Sequence, residues 1–155
     1  MPRKFLVVVD DSPEFDAALR YASRRARSTG GRVALLALLP DSSDEHWAGV
    51  RDEIQREQRA EAEALLNRLG EEASRRSGAQ PVFFIETGDP QAAIRKVVGE
   101  DPEIKILVLA SAGGGRSAGP LVSAVLKHGA AFTGRKLPVT IVPGELTDSE
   151  IEDLA

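Results

Sequence analysis

The sequence predicts an α/β fold: a single-domain doubly wound sandwich, a five-stranded parallel sheet with helices on both faces. Three observations carry that reading. Five short apolar runs alternate with segments of helical periodicity, in the order β-α-β-α-β-α-β-α-β. Most of the runs are continuous rather than alternating, as in strands buried on both faces. The chain has 155 residues, 42% of them apolar, with no internal repeat or linker, enough for one core. Right-handed crossovers turn that order into a covered parallel sheet.

The first strand is Phe5-Leu6-Val7-Val8-Val9, closed by Asp10-Asp11. Ser12 is the expected N-cap of the first helix, with Pro13 in its first position and Glu14 in its first turn, where acids suit the dipole. Phe15, Ala18, Leu19 and Ala22 give an apolar stripe, and Gly30-Gly31 stops the helix. The second strand is Arg32 to Leu39. The second helix runs from about Asp44 to Arg76, with Trp47, Val50, Ile54, Ala62, Leu65, Leu66, Leu69 and Ala73 at spacings of three and four. Its polar face mixes acids and bases, which predicts packing on its own sheet rather than on a membrane surface.

Val82 to Ile85 is the third strand. Asp89 caps the third helix and Pro90 starts it, with Ala93, Ile94, Val97 and Val98 facing inward. Ile104 to Leu109 is the fourth strand. The fourth helix begins at Pro120 and carries Leu121, Val122, Val125 and Leu126. Val139 to Val142 is the last strand. Thr147-Asp148-Ser149-Glu150 is a capping box leading into a short terminal helix with Ile151 and Leu154. One domain spans 1–155, its core about 3–143 and an acidic tail 144–155.

Charge and composition narrow the function. There are 24 acidic and 20 basic residues, a net charge of −4. The basic residues are spaced among acids on helices, as on solvated faces, which argues against nucleic acid as a partner. With no cysteine, disulfides, thiol catalysis and cysteine-bound zinc are excluded. No apolar run reaches the roughly 18 residues of a membrane helix, and the apolar part of the N-terminus is too short for a signal peptide. A cytoplasmic protein without a membrane partner is expected.

Sheets of this class bind ligands beyond the carboxyl ends of the strands, where strand order reverses. If the first and fourth strands are neighbours there, Asp10-Asp11-Ser12 and Ser111 to Gly119 face one crevice. In Gly113-Gly114-Gly115 the absent Cβ atoms let amides approach an anion. Arg116 can pair with a phosphate, Ser117 can donate to it, and the helix after Pro120 adds a positive dipole end. The loop is neither a Walker A motif nor a dinucleotide fingerprint, and its plain reading is a turn. Asp10 either accepts a hydrogen bond from a base or ribose or only closes a turn; Asp11 stands at a helix start.

Other chemistries fit poorly. A phosphorelay receiver needs an aspartate after the third strand and a lysine after a later one. Here Glu86-Thr87-Gly88 ends the third, and no lysine follows the fifth. His46 and His128 lie in unrelated segments and make a poor metal pair. A triad of Ser111, His128 and Asp10 lacks a nucleophile elbow.

Lys4-Phe5-Leu6-Val7-Val8-Val9-Asp10-Asp11-Ser12, Gly88-Asp89-Pro90, the Gly115-Arg116-Ser117 loop and Leu137-Pro138-Val139-Thr140-Ile141-Val142-Pro143 follow one another in an order and spacing that resemble the universal stress protein family. The resemblance reaches to near Pro143. It implies a homodimer in which Val139, Thr140, Ile141 and Val142 pair with their copy across a two-fold axis. Members that bind ATP resemble one another in a loop of glycine, two residues, glycine, nine residues, glycine, then serine or threonine. Aligned on Gly115-Arg116, the first glycine falls on Ala112, with Gly113 beside it. The third falls on Val125, and the hydroxyl residue on Leu126. The family's aspartate is retained as Asp10, and its adenine-side apolar residue corresponds to Leu38.

The resemblance thus implies a stress-response regulatory protein with ATP, accompanied by magnesium, at Asp10, Leu38, Ala112, Gly113, Gly115, Arg116 and Ser117. It would act by binding, with at most slow hydrolysis, since no general base or metal-ligating set for fast turnover is evident. Two alternatives stay open. One is a nucleotide-free dimer that engages a protein partner through its dimer surface or the tail from Glu145 to Asp153. The other is a binder of another phosphorylated small molecule.

Overall fold

The computed structural model describes residues 2–40, 48–112 and 119–155. In chain order the elements are β1 (Lys4–Val8), α1 (Phe15–Thr29), β2 (Arg32–Leu39), α2 (Ala48–Ser77), β3 (Val82–Thr87), α3 (Pro90–Glu100), β4 (Ile104–Ser111), α4 (Pro120–His128), a 3₁₀ turn (Gly129–Thr133), β5 (Val139–Pro143) and α5 (Asp148–Leu154). All strand pairs are parallel, in the spatial order β3-β2-β1-β4-β5. The expected α/β class and five-stranded parallel sheet are therefore present, and the chain reverses direction across the sheet between β1 and β4.

Alternate residues of the central strands feed two cores. Phe5, Val7, Val33 and Leu35 pack with α1, α2 and Ile151 of α5 on one face. Leu6, Ala34, Leu36 and Leu107 pack with α3, α4 and Phe132 on the other. Burial on both sides explains why these strands read as unbroken apolar runs. Gly30, at φ 71°, stops α1 in the left-handed conformation.

Two expectations need correction, and one element is new. Ser12 does not cap α1. Its hydroxyl and its N–H both donate to the Asp10 carboxylate, and the helix starts only at Phe15, after a turn in which the Phe15 N–H donates to the Ser12 carbonyl. The nearer carboxylate wins the serine, and Pro13 falls outside the helix. Along α2, Val50 is 45% exposed instead of facing the sheet. Thirty residues span about 45 Å, against about 26 Å for the eight residues of β2, so the first turns overhang the strand ends. Finally, the 3₁₀ turn with its buried Phe132 is an element that no periodicity announced.

At the amino edge of the sheet, the Lys4 ammonium lies 2.7 Å from Asp101 and 3.1 Å from Glu103, which ties β1 to the turn before β4. Burial pulls this ammonium's pKa down, but hydrogen bonds and the field of both carboxylates hold it above the ordinary 10.5. A raised pKa means that the folded state holds the proton more tightly than the unfolded chain. The resulting stability is fully present below 10.5 and is lost as pH rises through the higher folded value. Urea midpoints should therefore fall above pH 10.5 more steeply for the natural chain than for Lys4→Met. Parallel curves for the two would remove the lysine from the alkaline transition.

Candidate functional site

Beyond the carboxyl ends of β1 and β2, under the overhang of α2, lies a cavity of about 760 Å³. Its apolar lining includes Val9, Phe15, Ala37, Leu38, Leu65 and Leu69. β1 and β2 aim Val9 and Ala37 to one face, and α2 closes the roof because its apolar stripe continues past the end of the sheet. Asp10, Asp11, Asp16 and Glu61 bring carboxylates to the lining, and Arg68 is the one cation among the described lining residues. Apolar walls with a few acceptors suit a flat ring bearing hydroxyl or amino donors. The excess of carboxylates disfavours a chain of phosphates at this end.

Asp10 stands at the mouth, two residues beyond β1. One of its oxygens accepts from the Ser12 N–H at 2.8 Å and from the Ser12 hydroxyl. The turn that this closes also fixes the carboxylate in place, so both readings of Asp10 share one geometry.

Of the residues singled out from sequence, the structure brings Asp10 and Leu38 together in this cavity. Ala112 follows the end of β4, the strand adjacent to β1, and lies outside the cavity lining. Gly113, Gly115, Arg116 and Ser117 lie outside the described residues. The adjacency of β1 and β4 meets the condition for one crevice at the point of strand-order reversal. Nearby, the Gly144 N–H donates to the Ser111 carbonyl at 2.9 Å. A Cβ on Gly144 would fall 2.4 Å from that of Glu14, so only glycine lets the turn after β5 close against the entry to α1.

The helix beyond the loop starts earlier than the resemblance implies. Gly119, at φ 102°, precedes Pro120, and α4 starts there. Val125 and Leu126, at the positions of the third glycine and the hydroxyl residue, therefore lie well inside the helix. Val125 is buried in the core and Leu126 is 75% exposed. The first-turn amides that a helix start leaves open belong here to Leu121 and Val122, since proline has none.

Sequence reasoning missed Arg68 and Glu61 as site residues. Both sit on the polar side of the α2 pattern, where nothing distinguishes a cavity wall from a solvated face. The acidic tail is also not a free arm: its helix α5 lies on α1 with Ile151 buried.

Comparison with known proteins follows the same outline. The universal stress protein family matches residues 1–131. No curated protein sequence matches significantly. Among solved structures, universal stress protein UspA from Lactobacillus plantarum is 22% identical with a TM-score of 0.71, the match covering 90% of this chain and 97% of that one. A universal stress protein from Archaeoglobus fulgidus in complex with dAMP is 18% identical with a TM-score of 0.58, covering 90% and 97%. A universal stress protein in complex with cAMP is 17% identical with a TM-score of 0.59, covering 93% and 98%. At these identities the structures speak for the fold alone, while the family match spans most of the sheet and both its faces. Among the described residues no helix is long and apolar enough to cross a membrane. The chain belongs to the universal stress protein family.

Proposed function

We propose that the protein is a stress-response regulator that binds an adenine nucleotide, with base and ribose in the cavity under α2 and phosphate toward the loop between β4 and α4. The observation that carries this reading is the pairing of an apolar cavity, with Asp10 at its mouth, and a glycine-rich loop on the neighbouring strand. Relatives solved with cAMP and dAMP support it. A magnesium ion would enter only with a polyphosphate, since among the described residues no group of three or more carboxylates or histidines is placed to hold one. The early start of α4 and the acidic lining both favour one phosphate over three. An adenosine monophosphate therefore binds at least as well as ATP. Asp10 orients the ligand, and the site works by binding rather than turnover.

Thermal unfolding tests this. AMP at a hundred times its dissociation constant should add about 2.7 kcal/mol, a rise of several degrees for a domain of this size. Asp10→Ala should weaken AMP at least tenfold, about 1.4 kcal/mol. Absence of a saturable rise with AMP, cAMP, ADP or ATP would sink the proposal and favour the nucleotide-free dimer, for which Val125 and Leu126 already speak.

A further inference from the structure

A second cleft, of about 320 Å³, lies between α1, α2 and α5 and shares no lining residue with the first. Five arginines line it. Arg20, Arg24 and Arg27 stand at i, i+4 and i+7 on one face of α1, and Arg75 and Arg76 come from the last turn of α2. α5 lies across them. Its Asp148 pairs with Arg20 at 2.9 Å and its Glu152 with Arg24 at 2.9 Å, with the buried Ile151 between them as the apolar anchor.

The neutralisation is incomplete. Arg76 is held by Glu72 of its own helix. Among the described residues, Arg27 and Arg75 have no acceptor, and the Arg20 Nε is buried without one. Complementing helix dipoles accounts for Arg27, Arg75 and Arg76, which sit in last turns. It does not account for Arg20 and Arg24, which lie mid-helix on the same face. Guanidinium forks converging from two helices match the geometry of phosphate oxygens.

We infer that this cleft binds a compact chain of phosphate groups, and that α5 is its built-in competitor, holding with two carboxylates the guanidiniums such a ligand would take. α5 is suited to leaving. Seven residues are too few for a helix stable by itself. Its acids are 66% and 70% exposed, and ion pairs of that kind hold weakly. It also lies beyond residues 1–131 of the family match.

Calorimetric titration of the full chain with inorganic tripolyphosphate at low salt tests the assignment. The natural chain should bind weakly. Asp148→Asn with Glu152→Gln, which keeps the Ile151 anchor, should bind at least about tenfold tighter, and Ile151→Asn should do the same by undocking α5. The equal charge change at Asp52→Asn with Glu53→Gln should leave binding unaltered. Adding Arg24→Ala and Arg75→Ala should abolish the gain, and saturating AMP or Asp10→Ala should not. The inference fails if neutralising α5 has no larger effect than the remote control, or if the arginine replacements leave binding intact. Displacement by AMP would assign the phosphate chain to the nucleotide crevice instead.

Discussion

Ile141→Pro is expected to convert a dimer, which we propose two copies form by pairing through β5, into a folded monomer. β5 is an edge strand, and its inner side is fully used. Leu107 donates to the Pro138 carbonyl at 3.0 Å, and Gly144 donates to the Ser111 carbonyl at 2.9 Å. Between those two bonds a parallel ladder alternates, so Thr140 and Val142 turn their N–H and C=O groups to β4. Val139 and Ile141 present theirs to the open edge. A short apolar edge of this kind invites pairing, and the family resemblance implies pairing with a second copy. Proline at 141 removes an outward donor and leaves every bond to β4 in place, since prolines are tolerated where the N–H faces outward. Thr140→Pro is the contrasting change. It deletes a bond to β4 and should lower the thermal midpoint by itself. Light scattering coupled to size exclusion reads the mass, and circular dichroism reads the fold. A natural chain that is already monomeric, or an Ile141→Pro chain with unchanged dimer mass, rejects this interface.

The contrast between those two neighbouring residues shows how much was legible and how much was not. Val139 to Val142 reads as a strand from composition alone. Which of its residues face outward depends on register with β4, and register is a tertiary fact. The same division runs through the molecule. Continuous runs such as Leu6-Val7-Val8 reveal a strand covered on both faces, and the order of elements with right-handed crossovers leaves few sheets to choose from. Ser12 satisfies every rule for an N-cap, yet a carboxylate two residues away competes for it. The stripe through Val50 and Ile54 shows that α2 has an apolar side, but periodicity cannot say where the sheet beneath it ends. Asp10 was legible because it closes the first strand, and Leu38 because the family resemblance pointed to it near the end of the second. Arg68 and Glu61 were not, because their role arises from the overhang. The arginines of α1 and α2 looked like solvated faces because some fifty residues separate the two groups along the chain.

Phe132→Ala should produce the largest loss of stability of any single change considered, about 3–5 kcal/mol. Phe132 is fully buried. It belongs to a 3₁₀ turn of five residues and enters the core formed by Leu6, Leu36, Ile94, Val97 and Leu107. The turn bears on both α3 and α4, so its ring fills the space in which those helices meet the sheet. The backbone around it is fastened from outside. The Thr133 hydroxyl donates to the Arg135 carbonyl at 2.7 Å, and the Arg135 guanidinium donates to the carbonyls of Val98 at 2.9 Å and Asp101 at 3.1 Å, at the end of α3. With the turn so held, the wall cannot follow a truncated side chain inward, and the cavity stays open. That places the expected cost toward the upper part of the range for large-to-small changes. For a domain of this length the thermal midpoint should fall by about 10 °C. Leu126→Ala, also on the α4 side but 75% exposed, should stay within about 0.5 kcal/mol. A loss below about 1 kcal/mol for Phe132→Ala would mean that α4 settles onto α3 without it. The fastening of the turn to the end of α3 by Arg135 would then be its stronger tie.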